Sequence, residues 1–241
     1  MSPAASDEAP GREERPITPI VDDITPWMQA LAGVTRVGLA ALTRIRIEGE
    51  LDAVPREGPI IVAANHASNL DPVVLGSHLL PRLGRRLQWL GKRELFDWPI
   101  VGWMARHGGV HAVDRSTADV EAYRLAKRIL DEGHALFVFP EGTRSRDGAL
   151  QPARDGVAVL ALRTGAPIVP VGIAGSYERW PRGQKIPHPG GHVTVRVGTP
   201  FRLADELPEG LDRKRATPLA TDLIMHRIAA LLPERQRGAY V

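Results

Sequence analysis

His66 and Asp71 stand five positions apart in Asn65-His66-Ala67-Ser68-Asn69-Leu70-Asp71-Pro72. An imidazole has an unperturbed pKa of about 6.5, so it can accept a proton near neutral pH and return it. A carboxylate on its other ring nitrogen fixes the tautomer and stabilises the imidazolium as it forms. The pair therefore reads as a general base with its orienting acid, provided the loop between them folds back. On this segment alone a plainer reading competes, with Asp71 as the N-cap of a helix that Pro72 opens and His66 as a structural histidine at a strand end. The two roles of Asp71 are compatible if separate carboxylate oxygens serve the helix amides and the ring.

A second stretch, Phe139-Pro140-Glu141-Gly142-Thr143-Arg144-Ser145, has the chemistry of an anion site. Gly142 permits close backbone approach, Thr143 offers a hydroxyl and an amide, and Arg144 suits bidentate contact with phosphate. In isolation the same residues also make an ordinary polar turn. Lys92 and Arg115 each follow a strand candidate; they either add positive charge to the same rim or belong to a solvated basic face.

No residue of the chain offers itself as a nucleophile for His66. The sequence has no Gly-x-Ser-x-Gly elbow, and Gly175-Ser176 runs on into Tyr177-Glu178. His107 and His111 are four apart, but Gly108-Gly109 breaks any helix that would align them as metal ligands. The expectation is a base acting on a hydroxyl that belongs to the substrate, with no metal and no cofactor.

These stretches need elements to hold them. Pro59–Ala64 is a short, continuous apolar run that suits a buried strand, and it places His66 just beyond a strand's C-terminal end. Ala135–Phe139 delivers Glu141–Arg144 to the same rim if the two strands are parallel. Further strands are expected at Arg46–Glu50, Gln88–Gly91, Val110–Val113, Ile168–Ile173 and Val193–Val197, where Pro170 implies an irregular or edge position. Helices are expected at Pro72–Leu80, Pro99–His107, Thr117–Glu132, Ala153–Thr164 and Thr217–Leu232. The alternation predicts an α/β fold with a mixed, largely parallel sheet flanked by helices. The loop Tyr177–Gly191 is long enough to line or cover a site. Trp98, Ile100, Val101, Trp103 and Met104 read as core.

Ahead of this body, residues 1–23 are rich in proline, serine, alanine and acids and read as a disordered tail. Residues 24–47 place Ile24, Trp27, Leu31, Val34, Gly38, Leu42 and Ile45 on one helical face, an amphipathic helix that either caps the core or anchors the chain at a membrane surface. Arg36 and Arg44 interrupt any transmembrane span. Residues 48–241 form the remaining domain.

The 241 residues, 43% of them apolar and 24% charged, suffice for one large domain with a full core. Cysteine is absent, which excludes disulfides and thiolate metal sites and fits a reducing compartment. Residues 1–23 hold six acids against Arg12 and Arg15, a balance of −4, so the stated total of +3 leaves +7 on the rest. A body this basic fits an anionic partner. Aromatics are only 5%, and no zinc-finger, basic-zipper or RNA-recognition pattern occurs, so nucleic acid is not expected.

In their order, the blocks Asn65–Pro72, Lys92–Arg115, Phe139–Ser145 and Val169–Ile173 resemble the glycerolipid acyltransferase family of the 1-acylglycerol-3-phosphate acyltransferase type. The first block is similar to that family's His-x4-Asp motif and the third to its phosphate-binding block. The resemblance implies that His66, oriented by Asp71, deprotonates the free hydroxyl of lysophosphatidic acid. That oxygen would attack the thioester of acyl-CoA or acyl carrier protein. It also implies that Glu141, Gly142, Thr143 and Arg144, with Arg115 and Lys92, hold the acceptor phosphate. It favours the anchoring reading of residues 24–47, at an anionic membrane surface on the cytoplasmic face. An oxyanion hole is not located, backbone amides near His66 being the nearest candidates.

Overall fold

The computed structural model describes residues 20–113 and 118–241. Arg115 and the greater part of the 1–23 tail lie outside the described residues. In chain order the elements are α1 (Pro26–Leu42), β1 (Arg44–Gly49), β2 (Ile60–Ala64), α2 (Asp71–Val74), a π-helical turn (Leu75–Leu79), α3 (Leu80–Leu83), β3 (Leu87–Lys92), α4 (Pro99–His107) and β4 (Val110–Val113). Then follow α5 (Ala118–Asp131), β5 (Ala135–Val138), α6 (Gly156–Thr164), β6 (Ile168–Ala174), β7 (His192–Val197), α7 (Leu203–Glu206) and α8 (Arg213–Ala229).

The strands form one seven-stranded sheet in the order β1-β7-β6-β2-β5-β3-β4. From β6 to β4 the neighbours are parallel; β7 runs antiparallel to β6 and carries β1 parallel to itself. All seven expected strands are present, and the fold is α/β with a mixed, mostly parallel sheet.

β2 lies mid-sheet and is buried along its whole length, as its run of β-branched and small apolar residues requires. Ile61 and Ala63 pack on one face with Leu136, Ile129 of α5, Leu160 of α6 and Ile224 of α8. Ile60, Val62 and Ala64 pack on the other with Leu70, Val74 and Leu75, and with Leu39 of α1. The two-residue period of a strand thus fills two cores from one segment.

Four expectations of extent and position are corrected here. α1 ends at Leu42, and Arg44 already begins β1, so Ile45 and Ile47 are strand residues rather than the last turn of a helix. The end of the acidic tail is packed: Ile20 contacts the core, Val21 O accepts from Gln88, and Asp22 lies 2.9 Å from His134. β6 is not an edge strand; all seven of its residues are buried between β2 and β7. Its Pro170 is tolerated because its carbonyl, and so its nitrogen, faces β7 where that ladder ends: Pro170 O accepts from Gly198, and pairing proper begins at Val171 with Val197. Lastly, α8 starts at Arg213 rather than Thr217, capped by Asp212, whose side chain accepts from Arg215 N at 2.9 Å. Pro218 sits inside it.

The helical stretch after His66 contains a π-turn in which Leu80 N reaches back five residues to Leu75 O. It immediately precedes Pro81, which has no N–H to continue an α-helical ladder.

Candidate active site

β2 and β5 are adjacent and parallel, so the loops leaving their C-terminal ends meet on one rim of the sheet. The link between them is direct. His66 N donates to Glu141 Oε1 at 2.6 Å, and Ser145 N donates to His66 O at 2.7 Å. Asn65, buried beside them, continues β2 with its side chain: its Oδ1 accepts from Ile173 N at 2.7 Å and its Nδ2 donates to Ile173 O at 3.0 Å.

The loop 66–71 closes on Asp71, which is fully buried. Its Oδ2 receives Ala67 N at 2.8 Å, Ser68 N at 2.7 Å and the His66 ring nitrogen Nδ1 at 2.9 Å. An oxygen that collects two amide donors can only be an acceptor toward the ring, which assigns the proton to Nδ1 and leaves Nε2 with a lone pair. The imidazole stacks on Phe139, centroids 3.9 Å apart and planes 10° apart, and keeps 17% of its side-chain surface open. Two groups therefore fix its orientation while one nitrogen faces outward.

This geometry changes the role of Asp71. It is the first residue of α2 rather than its N-cap; the cap position falls on Leu70, and no side chain caps that helix. The expected division of labour between two carboxylate oxygens does not arise, because Oδ2 alone serves the ring and the preceding loop. The amides of the His66 loop itself are not free to serve as oxyanion donors. The amides of His66, Ala67 and Ser68 are engaged as above, Asn69 N donates to Trp180 O at 3.0 Å, and Leu70 N donates to Ser68 Oγ at 3.0 Å.

Glu141 is likewise placed differently from expectation. It is buried, and both carboxylate oxygens are occupied: Oε1 by His66 N and Oε2 by Gln151 N at 2.8 Å. Burial pushes its carboxyl up to about 7 despite these two amide donors. A buried acid aimed at the backbone braces the His66 loop; it does not face a phosphate.

Gly142, Thr143 and Arg144 do lie at the open side of the rim. Gly142 adopts a φ of +64°, which turns the chain sharply after Pro140-Glu141, and an added Cβ there would meet Arg154 Nε at 3.2 Å. Thr143 is exposed and Arg144 half-buried. Among the described residues the Arg144 side chain has no hydrogen-bond or ion-pair partner. Its pKa is lowered by partial burial and by the charge of Arg182, an effect that Asp71 opposes, so Arg144 lies within electrostatic reach of both. Lys92 is exposed at the end of β3, two strands from β2 on the same rim.

The loop after β6 also belongs to this rim. Ser68 pairs with Pro181 as an isolated antiparallel bridge, Ser68 Oγ donates to Trp180 O at 2.7 Å, and Asn69 Nδ2 donates to Pro181 O at 3.3 Å. Trp180 packs on the core. Sequence reading recognised that this loop could line a site but singled out none of its residues; the Trp-Pro-Arg run after a central strand was the available signal. Ser176, weighed as a nucleophile, is wholly buried. No group of three or more potential metal ligands occurs among the described residues. A groove of about 340 Å³ lined by Arg196, Arg227 and Leu231 lies at the opposite rim, where β1 and β7 end.

Three of the apolar residues expected in the core, Trp98, Val101 and Trp103, lie at the surface instead. Trp98 is 65% exposed, and Val101 and Trp103 are also exposed. Trp103 touches Trp27 of α1, ring centroids 5.3 Å apart, and α1 itself exposes Val34 and Val37 at 72% and 75%. Its inner side holds Met28, Ala32 and Leu39. No helix among the described residues is long and apolar enough to cross a membrane.

Residues 44–174, from β1 to the end of β6, match the family model described as Acyltransferase. A chloroplastic 1-acyl-sn-glycerol-3-phosphate acyltransferase of Brassica napus is 31% identical over 157 residues, 64% of this chain and 44% of that protein. The alpha 1-acyl-sn-glycerol-3-phosphate acyltransferase of Ovis aries is 31% identical over 73% of this chain and 62% of its own length. A lyso-ornithine lipid O-acyltransferase of Pseudomonas aeruginosa is 33% identical over 68% and 57%. The chain spans about half the length of the first of these relatives. Among solved structures, the 1-acyl-sn-glycerophosphate acyltransferase PlsC of Thermotoga maritima superposes with a TM-score of 0.61 at 26% identity, covering 82% of this chain and 78% of that one.

Proposed function

Because this chain belongs to the acyltransferase family, we propose that it transfers a fatty acyl group from a thioester donor, acyl-CoA or acyl carrier protein, to the free hydroxyl of lysophosphatidic acid, giving phosphatidic acid. The observation that carries the reading is the His66–Asp71 pair, with the Nε2 edge of the ring left open on the rim that also carries Arg144, whose side chain has no partner among the described residues. The named relatives support the choice of acceptor.

In this reading Nε2 of His66 takes the proton of the acceptor hydroxyl while Nδ1–H stays bonded to Asp71. The oxygen attacks the thioester carbonyl, a C–O bond forms, and the tetrahedral intermediate collapses with cleavage of C–S. The imidazolium then returns its proton to the departing thiolate. A positioned base of this kind contributes about 10²–10⁴-fold. Arg144, the Gly142-Thr143 turn and Lys92 attract the acceptor phosphate; Glu141 braces the loop. A lyso-ornithine lipid is the second acceptor to test, on the strength of the bacterial relative.

The exposed apolar surface of α1 and α4, joined through Trp27 and Trp103, is the face we assign to a membrane surface; both substrates carry acyl chains that reside there. Incubation of the protein with acyl-CoA and lysophosphatidic acid should yield phosphatidic acid. Absence of product with either donor, or undiminished turnover in a folded His66→Ala variant, overturns the reading. A W98A/W103A variant should lose most of its binding to anionic vesicles; undiminished cosedimentation removes that face from the membrane contact.

A further inference from the structure

We propose that Arg182, carried by the loop after β6, is a second guanidinium of the acceptor site, engaging the same phosphate as Arg144 and so making the site selective for a phosphomonoester. The inference rests on the reading of an acyl transfer to a phosphate-bearing acceptor, and it adds a residue that lies outside the Asn65–Ile173 blocks.

The geometry comes from the loop that carries Arg182. On one flank of the segment 66–69, His66 O accepts from Ser145, the residue after Arg144. On the other flank, Ser68 and Asn69 hold Trp180 and Pro181 by the bridge and by three hydrogen bonds, and Arg182 is the next residue. Trp180 is itself secured, its N donating to Ser176 O at 3.0 Å and its Nε1 to Gln184 O at 3.0 Å. The segment 66–69 thus holds both the loop that carries Arg144 and the loop that carries Arg182.

The arginines are also energetically mismatched to their surroundings. Arg182 is exposed and, like Arg144, has no hydrogen-bond or ion-pair partner among the described residues. Arg144 feels the positive charge of Arg182 and is partly desolvated as well. Two like charges held near each other, opposed only in part by the charge of Asp71, form a site for a dianion, which relieves the repulsion and offers more acceptor oxygens than one guanidinium can engage. A phosphomonoester supplies a charge near −2 at neutral pH, whereas a phosphodiester carries −1. The carboxylate of Asp71 is occupied by the ring and the loop amides, so it does not take the place of the ligand.

The phosphates of an acyl-CoA donor could reach the same charges, and steady-state kinetics separate the two. In an R182Q variant the KM for lysophosphatidic acid should rise by about tenfold or more, the scale of a lost charge-assisted hydrogen bond, with donor KM unchanged and with R182K recovering part of the loss. The wild-type advantage should shrink with a lysophospholipid whose phosphate is a diester. An unchanged acceptor KM, or a change confined to donor KM, overturns the proposal. Titration calorimetry with glycerol 3-phosphate on wild type and R182Q gives a reading independent of turnover. Binding weakened by the substitution upholds the arginine pair even if lysophosphatidic acid proves not to be the acceptor; binding indifferent to it rejects the pair. Because Arg182 is exposed, thermal melting of R182Q should match wild type.

Discussion

The two sides of the candidate site are built on opposite terms. On the base side every amide from His66 to Leu70 has an acceptor, Asp71 is sealed, and the ring is clamped between Phe139 and a carboxylate. On the phosphate side Thr143 is exposed, Arg144 half-buried, and both Arg144 and Arg182 lack partners among the described residues. The difference is the one the proposed roles require. Proton transfer depends on an orientation set before the substrate arrives, so its hydrogen bonds are internal. Recognition of an anion needs donors that are left unsatisfied until the anion supplies the acceptors.

The contrast makes the two sides separable by kinetics. The largest effects belong to the base. H66A should lower kcat by about 10²–10⁴-fold, with acceptor KM little changed. D71N is the sharper probe: its amide oxygen can replace Oδ2 as acceptor while its NH₂ takes the place of Oδ1, which has no partner in the fold. It should therefore fold, yet lose about 10²–10⁴-fold in kcat for want of the negative charge beside the imidazolium. A D71N enzyme at full rate would break the comparison outright.

On the phosphate side the effect should fall on KM. R144Q is expected to raise acceptor KM by about tenfold or more with kcat largely kept, measured with lysophosphatidic acid at saturating donor.

Glu141 joins the two sides, and its removal should register as stability. Glutamine must turn an NH₂ toward the N–H of either His66 or Gln151, so E141Q should cost about 1–3 kcal/mol in chemical denaturation. It should also alter pH dependence. A carboxyl at about 7 in the fold and near 4.5 when unfolded holds a proton that the unfolded chain has released, so its contribution falls as pH rises from 4.5 to 7. His111, buried against Gln88 and held down to about 4, acts in the opposite sense: the unfolded chain binds the proton first, so its contribution rises from pH 4 to 6.5. In the wild type these slopes oppose one another between 4.5 and 6.5. E141Q should expose the rising one, seen as a growing denaturation midpoint across that range; parallel profiles for the two proteins would contradict the assignment. The smallest effect expected is that of T143A, a rise in acceptor KM of about two- to tenfold for one neutral hydrogen bond.

β2 and β6 were legible because each is a short apolar run that is buried along its length, and β1 and β7 because apolar β-branched residues alternate with polar ones. His66 and Asp71 were legible as a pair because only five positions separate them. Glu141 was misread because its type suggested a polar rim, whereas its burial depends on the meeting of two loops that are 75 positions apart. Trp98, which caps α4, and Trp103 within it were misread in the opposite direction. Their composition is that of a core, and only the placement of α4 in the fold leaves them exposed.

By itself, then, the sequence determined the strands and most of the helices, the proximity of His66 to Asp71, and the basic character of the body, since all of these rest on local pattern or on composition. The tertiary structure alone decided which Asp71 oxygen meets the ring, that the His66 loop keeps no free amide, and that Glu141 faces inward. It also decided that Arg182, beyond all the motifs, comes within electrostatic reach of Arg144. The reason is physical: hydrogen-bond saturation and like-charge proximity depend on which loops the parallel sheet delivers to one rim, and no local pattern records that.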